Sequence, residues 1–298
     1  MHSYLRTIGF SNLSKSELEE ILEEVVTNYD EKFVTESFSD HLYAEFSKNY
    51  GCDCGITVCG EYDENNEFQM EYYYPFLRGT GVTTQENVII EKHADKESYA
   101  GACDDLRIGV TMIFYLQNGI EYIHERNKMN LGQSGMPLTL SGLAKEGKIL
   151  LPVKKDKKQV AREKELAKNR FSLIAAARKG DEEAMENLTM DDIDTYSMIS
   201  KRIVTEDVFT IVDSYFMPYG IECDKYNVMG EIVDCVSFRN ILTGEEIYQM
   251  TIESNDMQFD ICINKDDLLG EPQVGRRFKG IIWLQGQLHL LLKKLSEY

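Results

Sequence analysis

The segment Met257-Gln-Phe-Asp-Ile-Cys-Ile-Asn264 alternates without a break. Met257, Phe259, Ile261 and Ile263 fall on one side of an extended chain, and Gln258, Asp260, Cys262 and Asn264 on the other. Successive side chains of a strand point to opposite faces, so the pattern predicts a strand with one face buried and one polar. Its neighbours repeat the signal. Upstream, residues 246–253 set Tyr248, Met250 and Ile252 on one face after the turn Asn240-Ile-Leu-Thr-Gly244, and residues 226–238 (YNVMGEIVDCVSF) form a long β run in which Gly230 leaves room for a bulge or sharp coil. Downstream, residues 265–275 have room for one helical turn and a loop, 277–285 (RFKGIIWLQ) read as a strand, and 287–292 as a strand or the start of a terminal helix. Four or five antiparallel strands, with a short connection between the third and the fourth, match an OB-like barrel over residues 206–298.

Residues 1–152 read as an α+β unit with a mainly antiparallel sheet and covering helices. Ser14-Lys-Ser-Glu17 is a capping box opening a helix whose apolar positions are Leu18, Ile21, Leu22, Val25, Val26 and Tyr29, ending near residues 30–33. Strand-like runs at 56–62 and 68–77 flank Asp63-Glu-Asn-Asn66, and 87–92 is another. Residues 108–117 (IGVTMIFYLQ), Asn118-Gly119 and 120–125 predict a hairpin with a two-residue type I′ turn, because Asn-Gly accepts positive φ at both positions. The stretch 127–147 reads as a long flexible loop.

Between the two units, residues 153–205 form a helical connector. The formal charge of −19 divides into −13 over residues 1–152, +7 over 153–180 and −13 over 181–298. The head of the basic stretch, KKDKKQVAREKELAKNR, has no Gly or Pro; the stretch carries apolar Val160, Ala167, Phe171 and Ile174, with Arg178 and Lys179 before a Gly180 stop. A short helix over 181–188 and a second one capped by Thr189 and running to 203 follow; residues 208–216 fit helix or strand, and 214–220, broken by Pro218, are extended.

The acidic balance argues for a soluble, self-repelling chain slow to approach phosphate backbones or anionic lipid. The opening MHSYLRTIGF has no export-signal core, no run approaches the roughly 18 apolar residues of a membrane span, and seven scattered cysteines suit a reducing cytoplasm.

Three segments suggest a family: Phe216-Met-Pro-Tyr-Gly-Ile-Glu-Cys-Asp224, the run 226–233 with its Gly-Glu-Ile, and Arg276-Arg-Phe-Lys-Gly-Ile-Ile-Trp-Leu-Gln-Gly286. They resemble an uncharacterised family, a domain of unknown function of Gram-positive anaerobes. The resemblance covers most of the chain and implies an intracellular bacterial protein with no catalytic residues to carry over.

Candidate chemistry is sparse. Arg276, Arg277 and Lys279 with Phe278 and Trp283 bring cations and aromatics together as single-strand stacking requires, but the surrounding −13 opposes a polyanion. Lys154, Lys155, Lys157 and Lys158 head a basic helix that can lie on the acidic flanks or meet an acidic partner. Cys52-Asp-Cys54 with Cys59 and Cys103 lacks the paired C-x2-C knuckles of zinc sites, and Cys54, Ile56 and Val58 share a strand face as small core residues. Asp40-His41 and His124-Glu125 are sequence neighbours whose side chains diverge. Gly132-Gln-Ser134-Gly135 misses the nucleophile elbow by one residue, and Glu222, Asp224, Glu231 and Asp234 lack a partnering histidine. Tyr72 and Tyr74 share a face as core or as interface anchors.

The leading expectation is a non-enzymatic interaction or regulatory protein with a protein partner. Alternatives are single-stranded nucleic-acid or oligosaccharide binding through the OB-like unit, and a metal-dependent hydrolase. No catalytic residue, metal or cofactor is assigned.

Overall fold

A computed structural model describes residues 2–36, 42–93, 98–105, 107–129, 136–153, 157–177, 179–221 and 224–290. After a 3-10 turn (Leu5–Ile8), helix α1 (Lys15–Thr27) opens with the anticipated capping box. Ser14 Oγ accepts from the Glu17 N–H at 3.2 Å, and the Glu17 carboxylate accepts from the Ser14 N–H at 2.8 Å. The helix ends at Thr27, before the expected 30–33, because β1 (Glu31–Glu36) begins there. Strands β1, β2 (Leu42–Gly51), β3 (Cys54–Tyr62) and β4 (Phe68–Leu77) form an antiparallel sheet in that order. Leu18, Ile21, Leu22 and Val25 of α1 are buried, and the helix packs on β2 and β3.

Next come β5 (Val88–Lys92), β6 (Tyr99–Cys103), β7 (Met112–Leu116), helix α2 (Gly119–Met129) and β8 (Leu138–Leu150). Helices α3 (Lys157–Ala177) and α4 (Glu182–Ile203) make a hairpin, followed by α5 (Val208–Ile211) and β9 (Tyr215–Pro218). The chain ends in β10 (Lys225–Arg239), β11 (Glu246–Ser254), β12 (Met257–Asn264), a 3-10 turn (Lys265–Asp267), the two-residue β13 (Leu268–Leu269) and β14 (Arg277–Leu288).

Strands β8, β12, β11, β10 and β14 close on themselves, with β14 pairing β8 antiparallel over Leu138–Leu150. The result is a closed five-stranded barrel. Four of its strands are those read in residues 225–288, and the fifth is β8, from the stretch expected to be a loop. Strand β8 pairs β12 in parallel, Asp260 opposite Ser141 through Ile263 opposite Ala144. Strand β7 extends the same sheet beside β14.

The structure departs from the sequence reading in four further places. Asn118-Gly119 is no hairpin turn: neither residue has positive φ, and Tyr122 N–H donates to the Asn118 carbonyl at 3.0 Å, so residues 120–125 are helical. Helix α4 is continuous, with Asp181 as its N-cap and Thr189 inside it donating to the Met185 carbonyl. The irregularity in β10 lies between Ile232 and Asp234 rather than at Gly230. Strand β12 is buried on both faces from Phe259 to Asn264. Its polar side is covered by the Leu5–Ile8 turn and β4, with Asn264 Nδ2 donating to the Arg6 carbonyl of the turn at 3.3 Å, and neighbouring segments supply further hydrogen bonds in place of water. Asp260 accepts from Thr251 Oγ1 at 2.6 Å and from Thr80 N and Oγ1 at 2.6 and 2.7 Å, and Asn264 Nδ2 donates to Glu245 at 2.6 Å.

Candidate functional site

Strand β14 carries the predicted basic and aromatic residues, and the structure turns most of them inward. Phe278 is fully buried and Trp283 is 6% exposed. The Trp283 indole donates to Asp224 at 2.7 Å and lies under His2 and Tyr4, ring centroids at 5.0 and 5.3 Å. The Arg277 guanidinium donates to the Leu151 carbonyl through Nε (3.1 Å) and Nη2 (3.0 Å), to Val212 at 2.9 Å and to Phe209 at 2.7 Å. Lys279 Nζ lies 4.4 Å from the Phe209 ring centre, and Arg276 donates to the Glu271 carbonyl at 2.8 Å. Arg277 and Lys279 thus converge on α5, while Trp283 joins a separate aromatic cluster.

Lys154, Lys155 and Arg178 lie outside the described residues; Lys157 and Lys158 open α3, their side chains, like those of Val160, Ala167 and Phe171, also outside them. Helix α3 ends at Ala177, Gly180 has φ +88°, and the chain reverses at once into α4. The helix packed on the basic one is therefore the next in the chain.

Strand β3 divides the cysteines. Cys54 lies on the same side as Ile56 and Val58, all fully buried, while Cys59 faces the opposite way and Cys52 is exposed. Among the described residues no group of three or more His, Cys, Asp or Glu is gathered for a metal ion. Asp224 is taken by Trp283, and His124 Nδ1 is 3.3 Å from Thr35 Oγ1. His41, Glu222 and the Gly132–Gly135 motif lie outside the described residues.

A concave feature lies on the face of the four-stranded sheet opposite α1. Register aligns two rows there: Phe33, Glu45, Cys59 and Tyr72, then Glu31, Ser47, Thr57 and Tyr74. All of these but Cys59 and Tyr72 line a cavity of about 190 Å³, together with Phe76, Arg78, Gln117, Asn118, Glu121 and Gln287. Arg78 forms a two-pronged ion pair with Glu31, at 2.6 and 2.7 Å. Ser47 and Thr57 hydroxyls bond each other at 2.8 Å. Gln117 Nε2 donates to the Leu77 carbonyl and to Gln285, both at 2.8 Å. Asn118 Nδ2 donates to Glu121 at 3.1 Å and to the Leu288 carbonyl at 2.8 Å. Tyr72, Tyr74, Tyr115 and Trp283 run from this wall to the opposite side as a ladder, with successive centroids at 6.5, 4.7 and 5.4 Å.

Glu45 is the exceptional group. It is 8% exposed, and its one donor among the described residues is the Cys59 thiol, at 3.9 Å. Burial pushes its carboxyl up to about 8, the Cys59 contact opposes the shift and the charge of Glu121 adds to it. Burial also raises the Cys59 thiol and the Tyr72, Tyr74 and Tyr115 phenols. A neutral carboxyl in a cavity is a donor and acceptor at pH 7 and becomes a pure acceptor when it ionises.

The family model described as a domain of unknown function from E. rectale, DUF3881, matches residues 5–286. The chain belongs to the DUF3881 family. No curated protein and no solved structure matches it. The match spans the four-stranded sheet, the hairpin and nearly all of the barrel, and it takes in every residue that lines the cavity except Gln287. In the DUF3881 sequence nothing singles out Glu45. Leu42-Tyr-Ala-Glu-Phe-Ser47 alternates acid and hydroxyl with apolar residues, which reads as a solvated face until another layer is laid over it.

Proposed function

We propose that the protein is a non-enzymatic interaction or regulatory protein, and that the α3–α4 hairpin is the element it offers to a protein partner. The observation that carries this reading is exposure of apolar side chains on long helices. Leu166 on α3 and Met190, Ile193 and Met198 on α4 are 56–59% exposed, and the elements these helices pack extensively against are each other and α5. Helices of 21 and 22 residues reach roughly 30 Å at 1.5 Å per residue. Because α3 is basic and α4 acidic, the hairpin's charges attract each other and its apolar side chains remain for recognition. Exposed apolar side chains in such number on two packed helices are associated with protein interfaces.

The closed barrel, whose OB-like identity is part of this proposal, serves here as scaffold. An intracellular location fits its free cysteines, and no helix of the described residues is long and apolar enough to cross a membrane. The single-strand alternative has less support, since Arg277 and Trp283 are engaged within the fold.

The test is affinity capture from the native cell with full-length wild type and the Met190→Lys/Ile193→Lys/Met198→Lys variant. The expected result is a protein retained by the wild type and lost by the variant at unchanged melting temperature. Identical captured sets would refute the proposal.

A further inference from the structure

We propose that the cavity between the four-stranded sheet and helix α2 is a binding site for a compact primary amine, held as its ammonium ion by Glu45. The inference is independent of the hairpin reading, because it rests on what the cavity walls can and cannot donate. Three carboxyls line the cavity, Glu31, Glu45 and Glu121. The cation among the lining residues, Arg78, already has both prongs on Glu31. Most of the other lining donors are committed as well: the Gln117 and Asn118 amides to carbonyls and neighbouring side chains, one of the Ser47 and Thr57 hydroxyls to the other, and the Tyr74 hydroxyl to the Gln117 carbonyl at 3.1 Å, which leaves the Gln287 amide and one hydroxyl to face the carboxyls.

Acceptors are therefore in excess on the wall, and the deepest of them, Glu45, has a thiol at 3.9 Å as its donor. A buried carboxyl so poorly supplied is costly. The ligand that corrects it brings several donors and a positive charge. An ammonium has three donors and no acceptor, which matches this inventory where an anion or a carbonyl compound does not. The rings of Phe33, Tyr74 and Phe76 on the same wall suit the methylenes of an alkylamine and add cation–π attraction. At about 190 Å³ the space is below the roughly 300–1,000 Å³ of sites for drug-sized ligands, so the amine is a short one.

Binding has a proton balance. Free, Glu45 holds its proton near neutrality because it is buried; with an ammonium beside it the carboxylate form is favoured. The amine arrives and stays as R–NH3+, the Glu45 O–H bond breaks, and the proton leaves to solvent.

Isothermal titration of the full chain with n-propylamine, n-butylamine and putrescine, with n-butanol and butyrate as neutral and anionic counterparts, tests this. The expected result is saturable binding of at least one amine, none of butanol or butyrate, and at least tenfold weaker binding to Glu45→Gln. Comparing phosphate with Tris buffer at pH 7 should give about one proton released per amine bound, falling to little at pH 9. Because the glutamine variant keeps the shape of the site, its cooperative melting is the control for folding. The proposal is overturned if no amine binds, if butanol binds as well as butylamine, if a cooperatively melting Glu45→Gln binds the amine unchanged, or if no proton is released at pH 7.

Discussion

The side chain of Asn118 pairs with the backbone of Leu288 in both directions, Nδ2 donating to the carbonyl at 2.8 Å and the Leu288 N–H donating to Oδ1 at 3.0 Å. The amide imitates a neighbouring strand and fixes the start of α2, which carries Glu121, to the end of β14. Replacing Asn118 by Ala strands two buried backbone groups. At roughly 1–3 kcal/mol for an unsatisfied buried group, Asn118→Ala should lower the unfolding free energy by about 2–4 kcal/mol, measured by urea titration, and an unchanged midpoint would contradict the pairing.

Glu45 makes stability depend on pH with a definite sign. Its folded value near 8 lies above the ordinary carboxyl value of 4.5, so between these pH values the native state holds a proton that the unfolded chain has released. Stability therefore falls as pH rises from about 4.5 to 8, by a few kcal/mol. The groups that face Glu45 are Cys59 from β3, Tyr72 and Tyr74 from β4, Glu31 from β1, Glu121 from α2, Tyr115 from β7 and Arg78 beyond β4. Glu45→Gln removes the term: melting temperatures of variant and wild type should nearly coincide at pH 5 and separate at pH 9 in favour of the variant. A constant difference across that range would count against a neutral Glu45.

Arg277 is a structural clasp. Its fork reaches three carbonyls on two segments, a geometry a lysine ammonium cannot reproduce. Hydrogen exchange on Arg277→Lys should show loss of protection at residues 208–212, with β10 and β11 still protected. Uniform loss would mean global destabilisation instead, and no change would contradict the role.

Trp283 is the single tryptophan of the chain, so its fluorescence reports one place. Buried under His2 and Tyr4, it should emit at shorter wavelength than in the unfolded chain and resist iodide quenching. Asp224→Ala, which removes its hydrogen-bond acceptor, should alter that emission. Added oligo-dT should leave the wild-type signal unchanged; a saturable change would revive single-strand binding.

Much of the fold is legible in the sequence where one physical signal acts alone. The Ser14–Glu17 cap and the strands over 225–288 follow from local hydrogen bonding and period-two burial. Strand β8 was hidden by its glycines. A Cβ at Gly142 would lie 2.8 Å from Ile282 Cδ1, and one at Gly147 would lie 2.4 Å from the Phe278 ring. These residues read as loop because they have no side chain, and they lack one because their neighbours' large side chains occupy the space. Asn118-Gly119 carries strong turn chemistry, yet tertiary bonds to Leu288 draw it into a helix start. The polar side of β12 looked solvated because alternation records polarity, not what covers it.

Because Arg277 holds the carbonyl of Leu151 with those of Phe209 and Val212, the chain leaves the barrel and returns to it within the span of one guanidinium. Residues 152–208 are then an excursion between two nearly coincident points. The entropic cost of closing such an excursion grows only logarithmically with its length. The arm can be lengthened, shortened or exchanged at little expense to the barrel beneath it, which makes this junction a natural grafting point.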